Sequence, residues 1–246
     1  MDGEPDAGAT AQYHSHHHGH RDITGGWLRP AVFGAMDGLV SNFSLMAGVS
    51  GGSDSHRLVV LAGLAGLAAG AFSMAAGEYT SVASQAELAR AEVAVERREL
   101  AAHPAAELAE LTRRYVDRGV EPHLAAEVAR QLSRDPEQAL DVHAREELGV
   151  VPDELPSPLV AAGSSFAAFS VGALVPVLPY ALGAQGIGVP AALALGSLFG
   201  CGALVARLTD RPWWYGGARQ ALLGAAAAAV TYGIGALVGD GAAAVG

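Results

Sequence analysis

Residues 58–77 read LVVLAGLAGLAAGAFSMAAG, a stretch without one charged side chain. An α-helix rises about 1.5 Å per residue, so a run of about 20 apolar residues covers the roughly 30 Å hydrocarbon layer of a bilayer. A soluble core seldom needs an apolar run that long. The same reading recurs further along. No charged residue lies between Glu154 and Arg207, and Gln220 to Gly239 is also free of charge. Five spans are expected, at roughly 31–50, 58–80, 158–181, 187–206 and 219–239. Charged residues are 16% of the chain, against about 25% in a soluble domain, and the deficit sits in these runs.

The remaining composition agrees. Many of the 32 glycines fall inside the apolar runs, as suits helices that pack closely in lipid. Gly34 and Gly38, Gly66 and Gly70, and Gly196 and Gly200 each make a GxxxG pair, while Pro176 and Pro179 should bend the third span. The single cysteine, Cys201, excludes an intramolecular disulfide and a CxxC metal site. The first 26 residues are polar, without the apolar core of a signal peptide, so the first span should act as its own insertion signal. The net charge of −10 comes mostly from one acidic segment, and no nucleic-acid partner is expected. An Ala/Gly/Arg-rich composition suggests a GC-rich bacterial genome.

All 15 basic residues are arginine, and their placement sets orientation. Arg21 and Arg29 precede the first span, most of the others lie in the long second link, and Arg207, Arg211 and Arg219 surround the fourth link. The first link holds only Arg57, and the third link and the C-terminal tail hold none. A cytoplasmic N-terminus places every arginine-rich segment inside and the C-terminus on the opposite side. The expected organisation is a His-rich flexible cytoplasmic tail (1–26), transmembrane helices 1 and 2 (27–80), a cytoplasmic helical domain (81–157) and transmembrane helices 3 to 5 (158–246).

Punctuation divides the long link. No Gly or Pro interrupts Thr80 to about Leu100, so the second span should continue outward as a stalk helix until Pro104. A second helix is expected from about Ala105 to Arg118, closed by Gly119, and a third from Pro122 to near Ser133. Asp135 as N-cap and Pro136 at the first position open a fourth, closed by Gly149.

Several residues carry chemistry in this frame. Asp37, in Met36-Asp37-Gly38, lies within the first span. A carboxylate there costs roughly 2.5–3.5 kcal/mol on insertion scales and normally faces a partner or a wet path. It reads as an ion or proton site; the alternative is a carboxylate near the cytoplasmic end that reaches water. Met74 offers a soft thioether to a late transition metal, or simply packs. Glu78 at the cytoplasmic mouth either guides cations or marks the interface. Glu92, Glu96 and Glu99 share one helix face, Glu107 and Glu110 are spaced i, i+3, and His143 and Glu147 i, i+4. Like charges on one face repel unless a cation offsets them, and carboxylates with an imidazole suit iron, manganese or zinc. The alternative is a solvated face, because Arg90, Arg97, Arg98, Arg113 and Arg114 are interspersed. His14, His16, His17, His18 and His20 read as a low-specificity metal collector.

Taken together these residues resemble the vacuolar iron transporter family, with members in plants, fungi and bacteria. Met36-Asp37-Gly38-Leu39-Val40-Ser41 is similar to its D-G-[LI]-V motif, and Gly70-Ala71-Phe72-Ser73-Met74-Ala75-Ala76-Gly77-Glu78-Tyr79 to its G-A-x-S-M-x-x-G-x-[YF] motif. The resemblance runs from about Trp27 to Gly239. It implies an all-α polytopic membrane protein: a homodimer with five transmembrane helices per subunit and a cytoplasmic helical metal-binding domain on the extended second helix. It further implies an ion path between protomers lined by Asp37 and Met74, and metal-binding glutamates at Glu96, Glu99, Glu107 and Glu110. In the final motif Glu147 is retained, but His143 and Ala144 stand where the family has methionines, which shifts the site towards harder N/O ligation. Gly66 stands where some plant members carry a membrane glutamate.

The expected activity is export of Fe2+ or Mn2+ from the cytoplasm, with Zn2+ and Co2+ as further candidates, by proton antiport across a bacterial inner (plasma) membrane. No enzyme activity and no permanently bound cofactor are expected. Two other readings are a membrane-anchored di-iron ferroxidase and a metal-sensing or storage protein without transport. Paired Glu-x-x-His motifs are missing for the first, and a sensor has no need of Asp37 inside a span.

Overall fold

The structure is a computed structural model describing residues 26–243, with side chains to residue 239. The His-rich tail, with His14, His16, His17, His18 and His20, lies outside the described residues. Every regular element among the described residues is helical. Five helices are long and apolar enough to cross a membrane: α1 (Leu28–Gly52), α2 (His56–Ala102), α6 (Pro158–Ala181), α7 (Gly188–Leu208) and α8 (Trp213–Ala243). Three short helices, α3 (Pro104–Asp117), α4 (Pro122–Leu132) and α5 (Pro136–His143), form a charged head with the outer half of α2.

The element boundaries follow local chemistry. Ser55 caps α2 by accepting a hydrogen bond from the Leu58 amide at 3.4 Å, and no proline then occurs until Pro104. At about 1.5 Å per residue the 47 residues of α2 reach some 70 Å, so roughly half of it must project beyond a bilayer. Asp135 Oδ1 accepts from the amides of Glu137 and Gln138, at 3.0 and 2.9 Å, and starts α5. One difference from the expected pattern concerns the end of that element. The helix does not run to Gly149 as a single α-helix; after His143 it widens into a π-helical turn, Ala144–Leu148. Such turns relieve crowding and are frequent at functional sites. This one starts directly after His143 and contains Glu147. Gly149, at φ +66°, then supplies the left-handed exit that glycine adopts without penalty.

In the apolar half, α1 is the central element, packed on α2, α6, α7 and α8. Helix α6 is unbroken through Pro176 and Pro179 and covers both α1 and α2. The α1–α6 contact depends on glycine. A Cβ on Gly34 would stand 2.7 Å from Ser165 O, and one on Gly38 2.8 Å from Ala173 N, both backbone atoms that cannot turn aside. Overpacking of this kind costs about 1–3 kcal/mol. Gly34→Ala is expected to lower the apparent melting temperature of the detergent-solubilised protein, and an unchanged value would show that the helices can separate freely. The bilayer-length part of α2 leaves apolar side chains uncovered, with Leu61 60% and Phe72 69% exposed. For a helix in water this would be a liability, whereas lipid or a second subunit covers such a face without cost.

Candidate metal centre

The head converges on His143. Its side chain is fully buried, and its Nδ1 faces three carboxylates: Glu96 Oε1 at 3.0 Å, Glu147 Oε1 at 3.1 Å and Glu107 Oε2 at 3.8 Å. Three elements supply them, Glu96 from α2, Glu107 from α3, and His143 with Glu147 from the α5 end and its π-helical turn. One ligand atom from each of the four residues lies within 4.8 Å of every other. Donors on opposite sides of a single ion stand about 4.0–4.4 Å apart, twice a bond of about 2.0–2.2 Å. A contraction of a few tenths of an ångström would therefore bring the set to coordination distance.

The apo arrangement is electrostatically unfavourable. The carboxylates of Glu96, Glu107 and Glu147 are only 11%, 13% and 14% exposed. Burial, and then the neighbouring Glu147 carboxylate, hold Glu96 above the ordinary carboxylate range; Glu107 and Glu110 add to this and His143 opposes it. Glu107 is raised by burial first and Glu110 second, again against His143. His143 Nδ1 hydrogen-bonds Glu147, which leaves Glu96 Oε1, although 3.0 Å from that nitrogen, and His143 Nε2 buried without a hydrogen bond of their own. Unpaired buried polar atoms carry a desolvation penalty, and a cation on Glu96 Oε1 would remove one of these penalties.

The other sequence candidates surround this cluster without joining it. Glu110 is held by Arg114 Nη2 at 3.0 Å, and Glu99 by His103 Nδ1 at 2.9 Å on an exposed surface. Arg114 also approaches Glu147 at 3.4 Å and donates to the Glu146 carbonyl at 3.3 Å, so it partly neutralises the rim. Glu92 is exposed on α2. Of the arginines that suggested a solvated face, Arg90, Arg97, Arg98 and Arg113 do lie outside, Arg97 paired with Glu137 on the surface, whereas Arg114 turns in to the rim. Glu96, spaced regularly with Glu92 and Glu99, is distinguished only by the helices that fold over it.

A second polar site lies in the apolar half. Asp37, Ser41 and Asn42 of α1 and Ser73 and Met74 of α2 line a cleft of about 180 Å³, with Phe169 of α6 as one wall. Asp37 and Met74 are both half-buried. Ser41 Oγ donates to Asp37 Oδ1 at 2.7 Å and so fixes the carboxylate. Glu78, one turn along α2 from Met74, is half-buried with Oε2 unpaired. At 100° per residue, Met74, Glu78, Ser81, Gln85, Glu92, Glu96 and Glu99 fall within about 40° of one line along α2. This face, polar but for Leu88, runs from the cleft to the head over about 33 Å from Met74 to Glu96. The sequence pattern does not single out Asn42 or the serines, since lone hydroxyls and carboxamides in apolar runs often serve packing alone.

The profile of the VIT family matches residues 28–236. The chain belongs to the VIT family. Its relatives include vacuolar iron transporter 1 of Oryza sativa subsp. japonica, 35% identical over 93% of this chain and 92% of that protein. The vacuolar iron transporter of Acanthamoeba castellanii is 41% identical over 86% of this chain and 78% of its own length. Vacuolar iron transporter 1 of Eucalyptus grandis is 33% identical, covering 84% of both chains. The five bilayer-length helices fit this VIT-family chain to an integral membrane protein.

Proposed function

We propose that this VIT-family protein carries divalent iron or manganese out of the cytoplasm in exchange for protons. The observation that carries the reading is the burial of Glu96, Glu107 and Glu147 around His143, where a divalent cation would relieve both repulsion and desolvation. The names of the relatives agree with iron as cargo.

In this mechanism the head, residues 81–157, is cytoplasmic and the His-rich tail feeds it. Glu96, Glu107, His143 and Glu147 take the ion, while Glu99 and Glu110 attract it from the rim. The imidazole and carboxylate donors form an N/O set that suits Fe2+, Mn2+ or Zn2+. Four donor groups with one imidazole are a set for one ion, which favours cargo binding over a di-iron ferroxidase. The ion then moves along the α2 face past Glu78 to Asp37 and Met74, and a second subunit closes the open side of that cleft. Protons arriving from the far side compete for the same carboxylates and release the metal. A bacterial inner membrane is the proposed location.

The test is transport by reconstituted full-length protein in proteoliposomes, metal by metal, with and without a pH gradient. Fe2+ and Mn2+ flux should rise severalfold when the acidic side is opposite the head. Flux that ignores the gradient would remove proton exchange, and binding without flux would leave only the sensing or storage reading.

A further inference from the structure

Asn42 is a buried polar group that the proposed path leaves unused. Its side chain is 2% exposed, deep between α1, α2 and α6. The carboxamide nitrogen donates to the carbonyl of Ala173 at 2.7 Å. A carbonyl oxygen can only accept, so this contact fixes which end of the amide is nitrogen and which is oxygen. Oδ1 consequently faces the other way, towards Gly66, which together with Asn42 lines the cleft that holds Asp37 and Met74. It has no hydrogen-bond partner, although it is buried. Gly66 leaves the room it occupies: a Cβ there would stand 2.6 Å from Asn42 Oδ1. An oxygen held in place by its own amide, buried and unpaired in the wall of a cleft that also holds a carboxylate, carries a penalty that a packing role does not explain.

We infer that Asn42 Oδ1 is a neutral oxygen ligand for the transported cation in the membrane cleft, acting beside Asp37 and Met74. The inference rests on the transport reading above. Amide carbonyls are hard ligands that favour ions such as Mn2+, while the Met74 thioether favours softer ones such as Zn2+. Asn42 therefore tilts the cleft towards the harder ion. Because a carboxamide does not titrate near neutral pH, it adds affinity without adding a proton to the exchange.

The experiment compares wild type, Asn42→Leu and Asn42→Asp in proteoliposomes, with Mn2+ and Zn2+ as the probes. Leucine keeps the volume and removes the oxygen; aspartate keeps an oxygen. Wild-type vesicles that carry none of Fe2+, Mn2+ and Zn2+ would sink the transport reading itself, and vesicles that carry Fe2+ but not Mn2+ would overturn the role of Asn42. Given wild-type flux, Asn42→Leu should raise KM for Mn2+ by about tenfold or more, the order of loss for a metal-site group, and KM for Zn2+ by less than about threefold. Asn42→Asp should keep the Mn2+ KM within about threefold of wild type, the folded and inserted control. An unchanged Mn2+ KM in Asn42→Leu, equal increases for both ions, or an aspartate variant as impaired as the leucine one would each overturn the role of Asn42 and leave the transport reading standing.

Discussion

Asp37→Asn is expected to cut metal flux in proteoliposomes by about a hundredfold or more while leaving metal binding at the head intact. The cleft offers a divalent ion the Asp37 carboxylate, hydroxyls, an amide oxygen and a thioether, so Asp37 is its nearest formal negative charge. Removing one partner of a buried ion pair costs about 3–5 kcal/mol, and each 1.4 kcal/mol is about tenfold, which gives roughly 10² to 4 × 10³. Asparagine keeps the shape and still accepts the hydrogen bond that Ser41 Oγ now donates at 2.7 Å, so local packing survives. Asp37→Ala should be equally inactive. A calorimetric titration of the same sample with Mn2+ separates the two sites: binding at Glu96, Glu107, His143 and Glu147 should persist. Undiminished flux in Asp37→Asn would take the carboxylate off the path and leave the head without an exit.

Fold and site were legible to different depths. Long apolar runs such as 58–77 announce the five long helices, because bilayer thickness imposes a length that soluble helices do not need. Helix ends in the head were equally readable from Pro104, Pro122, Asp135 and Gly149, since each acts on its own turn. The cluster around His143 was only half legible. Spacing places Glu96 and Glu99 on one face of α2, but which of them is enclosed depends on where α3 and α5 fold back, a long-range property. Glu96 is enclosed against His143; Glu99 meets His103 in solvent. The π-helical turn after His143 has no signature in the sequence, because it arises from the fit of α5 and its continuation against α2. Asn42 escaped for the same reason: its chemistry comes from Ala173, 131 residues away, which orients the amide.

The second large effect belongs to Glu96, where stability and affinity should move in opposite directions. Its carboxyl is held above the ordinary range by burial first and by Glu147 second. A raised value means that the folded apo head binds this proton more tightly than the unfolded chain does. That contribution to stability is complete below the unfolded value of 4.5 and is lost as pH rises through the folded value. Glu107 behaves in the same sense. At neutral pH the metal-free head is therefore weakened by its own site, and a bound cation reverses the sign because it requires the ionised forms. Glutamine at position 96 is neutral at every pH. Glu96→Gln should make the apo head more resistant to opening at pH 7–8, seen as slower amide exchange in α5, and should flatten the dependence of that exchange on pH. The same change should weaken Mn2+ binding by at least the roughly 10–100-fold that loss of an outer-shell group costs a metal site. Both measurements are made on the full chain in detergent, in an Asp37→Asn background that removes the cleft's charge. Faster exchange together with unaltered Mn2+ affinity would mean that Glu96 is a structural partner of His143 and that no ion sits between them.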